Sequence, residues 1–216
     1  MYAQTGRFNV QRCEVTAMKK IFVLTSLILM LFVSSCSAAK SSPTEDISTI
    51  CEAFLHFDEA SMNKLGMNPT EYKKNCIGAF SKSFISSSGI NFSENQISEI
   101  NNVIIGLLQR TQFNVKIVEQ NDDSANLKIT LSKFEKLDEN LIKAHIPSNL
   151  DFSLMSQEEK NDIIVNVIIA TLKELKIDGN FEFVSQCQYI ENEKMWLPVQ
   201  AENFARSLFS GILIFD

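Results

Sequence analysis

Glycine, proline and histidine are scarce in this chain of 216 residues, at seven, four and two. So few glycines leave little material for a phosphate-cradling loop, and no such motif is written in the sequence. Sixteen phenylalanines against four prolines argue for packed cores rather than low-complexity linkers. The two histidines, His56 and His145, form no H-E-x-x-H helix, and no serine stands in a nucleophile elbow. Basic charge is short as well. A formal net charge of −6 offers no positive surface to a nucleic-acid backbone. The five cysteines contain no C-x-x-C pair, so the usual zinc and redox spacings are missing. The expectation is a protein without metal, without organic cofactor and without nucleic acid.

What the chain does have, near its start, is one uninterrupted apolar run. Ile21 to Ser35 reads IFVLTSLILMLFVSS, directly after Met18-Lys19-Lys20. It falls short of the roughly 20 apolar residues that span a bilayer core. Its basic flank, apolar centre and small-residue end (Ser34 to Ala39) make the three-part layout of a secretory signal. The end, Val33-Ser34-Ser35-Cys36, resembles a bacterial lipobox. That resemblance implies diacylglyceryl transfer to the Cys36 thiol, cleavage between Ser35 and Cys36, and in some bacteria a further acyl chain such as palmitate. The expected residence is the bacterial cell membrane or envelope, lipid-anchored; the alternatives are a secreted protein cut near Ala39 and an uncleaved membrane anchor. Residues 1–17 lack signal character, and Met18 opens a complete signal, so translation is expected to start there. The division that follows is a signal peptide over 1–35, a lipidated tether over 36–43, and one α+β domain over 44–216. Since residues 1–35 hold four cations and one acid, the remainder carries −9. An acidic domain is repelled by an anionic lipid surface except where its acyl chains hold it.

Along the mature chain the hydrophobic period is first helical, then two, then helical again. A helix is predicted over Thr44–Phe57, with Ile47, Ile50, Cys51 and Phe54 on one face. Asn68 and Pro69 start a second, which runs to Ser86-Ser87-Ser88-Gly89. Ser93 and Gln96 write a capping box ahead of the stripe Ile97, Ile100, Ile104, Leu107 and Leu108. Phe113, Val115 and Ile117 then alternate, and the turn Asn121–Ser124 leads to Leu127, Ile129 and Leu131, a hairpin pattern. A short helix is expected over Asp138–His145. A second capping box, Ser156 with Glu159, opens a helix that Asp178-Gly179 stops. Phe181–Ile190 and Met195–Val199 read as a closing hairpin, and a final helix carries Phe204, Leu208 and Ile212. About four strands with amphipathic helices to cover one face predict helices packed on a curved, cone-like antiparallel sheet.

Lys64-Leu65-Gly66-Met67, Gln96-Ile97 and Met195-Trp196-Leu197-Pro198 followed by Phe204 resemble an uncharacterised domain family of bacterial lipoproteins. The Trp-bearing hairpin is similar to the nuclear transport factor 2-like or cystatin-like cone. The first likeness implies fold and location and brings no mechanism. The second is an analogy of fold alone.

Candidate chemistry is sparse. His56 at the end of the first helix reads as a dipole or surface histidine. A cavity enzyme of isomerase or hydrolase type would need His145 or His56 in a pocket beside a carboxylate, and Asp151 near His145 is the pair the sequence offers. Glu119, Asp122 and Asp123 cluster at a hairpin tip, where turn chemistry explains them better than calcium. Trp196, Phe181 and Phe183 read as core. If the first two helices pack as an antiparallel hairpin, Cys51 and Cys76 stand at similar height and can bridge, for about 3 kcal/mol in the chain-entropy model. The alternative is that they and Cys187 are small buried hydrophobes. The favoured function is therefore non-catalytic: a lipoprotein held in the membrane through Cys36, binding a small ligand or an envelope protein. The alternatives are the cavity enzyme and a purely structural lipoprotein.

Overall fold

A computed structural model describes residues 40–210 apart from Gly89, Asp138, Asn149 and Leu150. The signal segment, Ser35, Cys36 and the apolar tail over 211–216 lie outside the described residues. The first helix, α1 (Pro43–Cys51), starts at Ser42 with proline in its first turn. It does not run straight to Phe57. Residues Glu52–His56 widen into a π-turn, and Phe57, at φ 54°, closes it in the left-handed region. The polar connection that follows also hides a short helix, α2 (Glu59–Lys64), whose Asp58 carboxylate accepts from the Ser61 amide at 2.7 Å. Helix α3 (Pro69–Ser88) begins where Asn68 Oδ1 accepts from the Glu71 amide. Helix α4 (Glu94–Arg110) carries the predicted Ser93/Gln96 capping box in both directions.

Strands β1 (Phe113–Gln120) and β2 (Ser124–Phe134) form the predicted hairpin, its turn held by Asn121 Oδ1, which accepts from the Ser124 amide at 2.9 Å. After β2 come α5 (Glu139–Ala144), a 3-10 turn (Phe152–Leu154) and α6 (Gln157–Glu174), opened by the Ser156/Glu159 box. Strand β3 (Ile177–Ile190), the short β4 (Met195–Pro198) and α7 (Ala201–Ser210) complete the described chain. The four strands make one antiparallel sheet in the order β1-β2-β3-β4. The fold is thus the predicted α+β class, and among the described residues the four-stranded sheet does not close on itself. The helical excursion 135–176 leaves and rejoins the sheet at one end, where the Glu135 amide donates to the Lys176 carbonyl at 2.9 Å.

Strand β3 starts four residues before its predicted start at Phe181. Asp178-Gly179, read as a helix stop, sits inside the strand as a bulge. Between the pairs Phe134↔Ile177 and Ser132↔Asn180, β3 places two residues opposite one. Gly179 takes φ +88° there, which a residue with Cβ adopts only under strain.

One face of the sheet is buried. Ala125, Leu127, Ile129 and Leu131 of β2, with Cys187 and Tyr189 of β3, meet Ile47, Ile50 and Cys51 of α1 and Val165, Ile169 and Leu172 of α6 in one continuous core. Trp196 packs edge-on to Tyr189, at 5.6 Å between ring centroids, and Phe204 of α7 packs edge-on to Phe183. The opposite face carries Asn114, Lys116, Glu182, Val184 and Gln186, all exposed. This alternation is the one written in the sequence.

Candidate functional site

The two histidines are occupied by structural work. His56 lies in the π-turn, with Nδ1 facing the Glu52 carboxylate and Nε2 2.8 Å from the Thr111 carbonyl, so it struts the turn against the end of α4. His145 follows α5 and holds it to α6. Its Nδ1 faces the Leu141 carbonyl at 2.9 Å and Thr171 Oγ1 at 3.2 Å, and its Nε2 faces Glu174 at 3.2 Å. The Leu141 carbonyl and then the Glu174 carboxylate raise its pKa above the ordinary value. Asp151 is exposed and turned to its own loop, accepting from the Ser153 amide and hydroxyl, which lowers its pKa. His145 and Asp151 share no hydrogen bond or ion pair. The pair that a cavity enzyme needs is therefore not assembled in this structure.

Cys51, Cys76 and Cys187 are free and buried. The geometry assumed for a Cys51–Cys76 bridge is not the one the chain adopts. Helix α1 packs on β1, β2 and β4, whereas α3 packs on α4, so the two helices are not a hairpin. Helix α2 is inserted between them: its Lys64 reaches Asp46 and Thr49 of α1, and α3 starts beyond the Gly66 turn, meeting the π-turn through Tyr72 on Phe54 and Phe57. Burial pushes the Cys76 thiol up to about 12 and Cys187 up to about 11, and lifts Cys51 further. All three stay protonated and unreactive while the fold holds.

The acidic hairpin tip is taken up by a lysine rather than arranged around a metal ion. Lys40 Nζ meets Asp123 Oδ1 at 2.5 Å and the Asp122 carbonyl at 3.2 Å. Glu191 lies 3.8 Å away on the neighbouring turn. Lys40 also sits 4.9 Å above the Tyr189 ring. Among the described residues no group of three or more His, Cys, Asp or Glu is placed to hold a metal ion.

A neighbouring carboxylate, missed in the sequence, is Asp46. It is 1% exposed although it sits in the first turn of a helix. There an acid ordinarily just complements the dipole in water. Its Oδ2 accepts from the Trp196 amide at 2.9 Å and from the Ser41 hydroxyl, and Oδ1 accepts from Lys64 at 3.3 Å. Trp196 Nε1 donates to the Ser41 carbonyl at 2.8 Å. The carboxylate thus fastens the start of the domain, α1 and β4 at one point. Its only signal in the sequence is an acid at a helix start.

Two surface concavities stand out, and both are open grooves rather than the mouth of a cone. One, of about 410 Å³, runs between α4 and α6 over Val103, Gly106 and Leu172, under the Glu99–Lys173 ion pair. The other, of about 180 Å³, separates β3 from α7 and is lined by Phe183, Ser185, Val199, Asn203, Phe204 and Ser207. The second has a backbone wall. Strand β4 pairs only with Cys187–Ile190, and the Val199 amide reaches the Gln186 carbonyl at 2.9 Å. Below that point no strand among the described residues pairs with β3 on the side away from β2. Gln186 aims its carbonyl at the β4 side, so Val184, Glu182 and Asn180, at spacing two, aim their N–H and C=O groups the same way. The bulge at Gly179 ends this open edge. The other edge strand, β1, is blunted by its own bulge between Ile117 and Glu119 and by Lys116. No helix among the described residues is long and apolar enough to cross a membrane.

Compared with known proteins, the chain matches no family model, and no curated protein matches it in sequence. Its fold is similar to that in the crystal structure of a candidate lipoprotein, YcdA, from Bacillus subtilis, with a TM-score of 0.60 at 16% identity. The similarity covers 79% of this chain and 55% of that one, so this chain spans little more than half of its length. At that identity the likeness is one of fold. It agrees with the lipoprotein-domain resemblance and lends nothing to the cone-fold analogy.

Proposed function

We propose that this chain is a lipid-anchored module of the bacterial cell envelope, held through Cys36, that binds an extended segment of a partner protein along the open edge of β3. The observation that carries the binding role is the β3 edge over Asn180–Val184, which no described strand covers on that side and whose upper end, Phe183–Gln186, borders a groove with α7 as its far wall. A sheet edge beside a helix accepts a peptide by strand addition, the backbone giving affinity and alternate side chains giving selectivity. Phe183 and the half-exposed Val199 supply apolar contact for those side chains, backed by the buried Phe204. A small molecule has less to hold there, because the groove is narrow and open. The anchoring half of the proposal draws on the signal layout ending in Cys36, and the lipoprotein fold of the neighbour is consistent with it.

The test places a photo-crosslinking amino acid at Val199 in the full chain, expressed in a bacterial envelope, with Asn114 on the other edge strand as control. The expected result is an adduct at Val199 that maps to an extended stretch of another protein and is absent at Asn114. It should disappear in Val184→Pro, which blocks strand addition while sparing β2, since the 184 amide faces away from it. An adduct that survives Val184→Pro, or one formed only with residues 211–216 of the same chain, would overturn the binding site. Intact mass checks the anchor separately: the membrane-bound form should begin at Cys36 and carry acyl mass.

A further inference from the structure

The structure assigns the two hairpin turns, Asn121–Ser124 and Glu191–Lys194, to the membrane-facing end of the domain, and the open β3 edge to the outward half. This inference rests on the anchoring half of the proposed function and adds an orientation to it. The tether does not leave the domain freely at α1. Lys40 is pinned to both turns by Asp123, the Asp122 carbonyl and Glu191, and lies over Tyr189. One residue on, Ser41 is gripped from two sides, its carbonyl by Trp196 Nε1 and its hydroxyl by the buried Asp46. The Asp46 amide in turn donates to the Ser42 carbonyl at 3.1 Å, which joins the grip to the first turn of α1.

The consequence is one of length. From a lipidated Cys36 to the start of α1 the chain would reach about 25 Å if every residue were free, but only about 14 Å separate Cys36 from the pinned Lys40 at full extension. The turns, held by the Lys40 ammonium, are therefore kept within that reach plus the length of one lysine side chain of the headgroups. The other end of the sheet is far off, because β3 runs 14 residues, about 45 Å at the rise of an extended strand. At that far end stand Lys176 and the Glu135–Lys176 contact, and the open edge Asn180–Val184 lies toward it. Charge does not hold this end down: Asp122, Asp123, Glu191 and Glu193 outweigh Lys40 and Lys194, so the short tether has to hold it, while the acidity of the whole mature chain keeps the domain from lying flat on an anionic surface. The domain stands on a short post instead of lying on its side, with its docking edge turned to the periplasmic or extracellular side.

Full-length protein, processed in a bacterial host and reconstituted in phosphatidylcholine vesicles bearing nitroxide-headgroup lipid, tests this. A fluorophore is attached through Asn192→Cys in the near turn or through Lys176→Cys at the far end, since the native thiols of the domain are buried. Intact mass is read first. Absence of acyl mass on Cys36 would refute the anchoring premise, separately from the orientation. With acyl mass present, quenching is expected at 192 and not at 176. A flexible eight-residue Gly/Ser insertion after Ala38, which leaves the domain untouched, should abolish that contrast. Lys40→Glu with Trp196→Phe should reduce it in protein that still melts cooperatively. Equal quenching at both positions, stronger quenching at 176, or a contrast indifferent to the insertion would overturn the assignment.

Discussion

Asp46 concentrates more of this molecule's organisation than any residue legible in the sequence. A buried carboxylate that accepts from a buried amide and a hydroxyl leaves both donors unpaired when it is removed, a loss of about 2–3 kcal/mol. Asp46→Ala should lower stability by that amount in urea melts, whereas Asp151→Ala, on an exposed loop, should change it little. A change confined to about 0.5 kcal/mol for Asp46→Ala, the range of an ordinary surface substitution, would mean that the contact with Trp196 is not formed in solution. His145 gives a pH-dependent counterpart. Its raised pKa means that the folded state holds the proton more tightly than the unfolded chain. Its stabilisation is then complete below the ordinary histidine value near 6.5 and fades as pH rises through the higher folded value. The melting difference between the natural protein and His145→Ala should accordingly be largest in mild acid and shrink above neutrality. A pH-independent difference would contradict the contact with Glu174. The cysteines make a third test at this scale. In a domain beginning at Ser37, a thiol reagent should find none accessible while folded and three after denaturation. A count of one after denaturation would restore a disulfide.

Elements whose ends are written locally take the form their sequence predicts. The Ser93/Gln96 and Ser156/Glu159 boxes involve residues three apart, so no distant part of the chain has a say in them. Ser156→Ala should cost about 1 kcal/mol, readable as an equal loss in chemical denaturation. Elements whose form depends on what they touch are harder to read. The π-turn Glu52–His56 depends on His56 reaching the Thr111 carbonyl 55 residues away, which no window of sequence contains. Helix α2 has six residues and no long apolar stripe, so it reads as a polar loop. Gly179 misleads for a similar reason. A glycine after an apolar helix suggests a stop, and only the pairing with β2 makes it a strand bulge. Since a Cβ at this position would meet nothing within 4 Å, Gly179→Ala should cost only the backbone strain of its positive φ, about 1 kcal/mol. A loss above about 3 kcal/mol would exceed that strain and show a steric demand that the site does not have.

At the scale of the whole molecule, the helical excursion 135–176 is inserted into the β2–β3 hairpin and yet supplies Val165, Ile169, Leu172 and Leu175 to the common core. Sheet and helices should therefore unfold together. Trp196 fluorescence, reporting the tether end, and far-ultraviolet circular dichroism, reporting mostly helices, are expected to give coincident denaturation curves. Leu172→Ala should shift both together by about 2–5 kcal/mol. Separated curves would mean that α6 is a satellite and not part of the core.

The sequence by itself determined what depends on neighbours along the chain. Those are the period of each main element, the two capping boxes, the Asn121 turn, the α+β class and the expectation of an anchor at Cys36. The tertiary structure decided what depends on neighbours in space. It bonded Asp46 to the Trp196 amide, left Cys51 and Cys76 free and buried, and gave His145 and Asp151 different partners. It also left β3 longer than β4, so that among the described residues part of its edge beside α7 has no strand partner. The physical reason is common to all of these. A carboxylate, a thiol or a strand edge takes its character from the solvent it loses and the partners it gains. Those are fixed only when segments distant in sequence share one core.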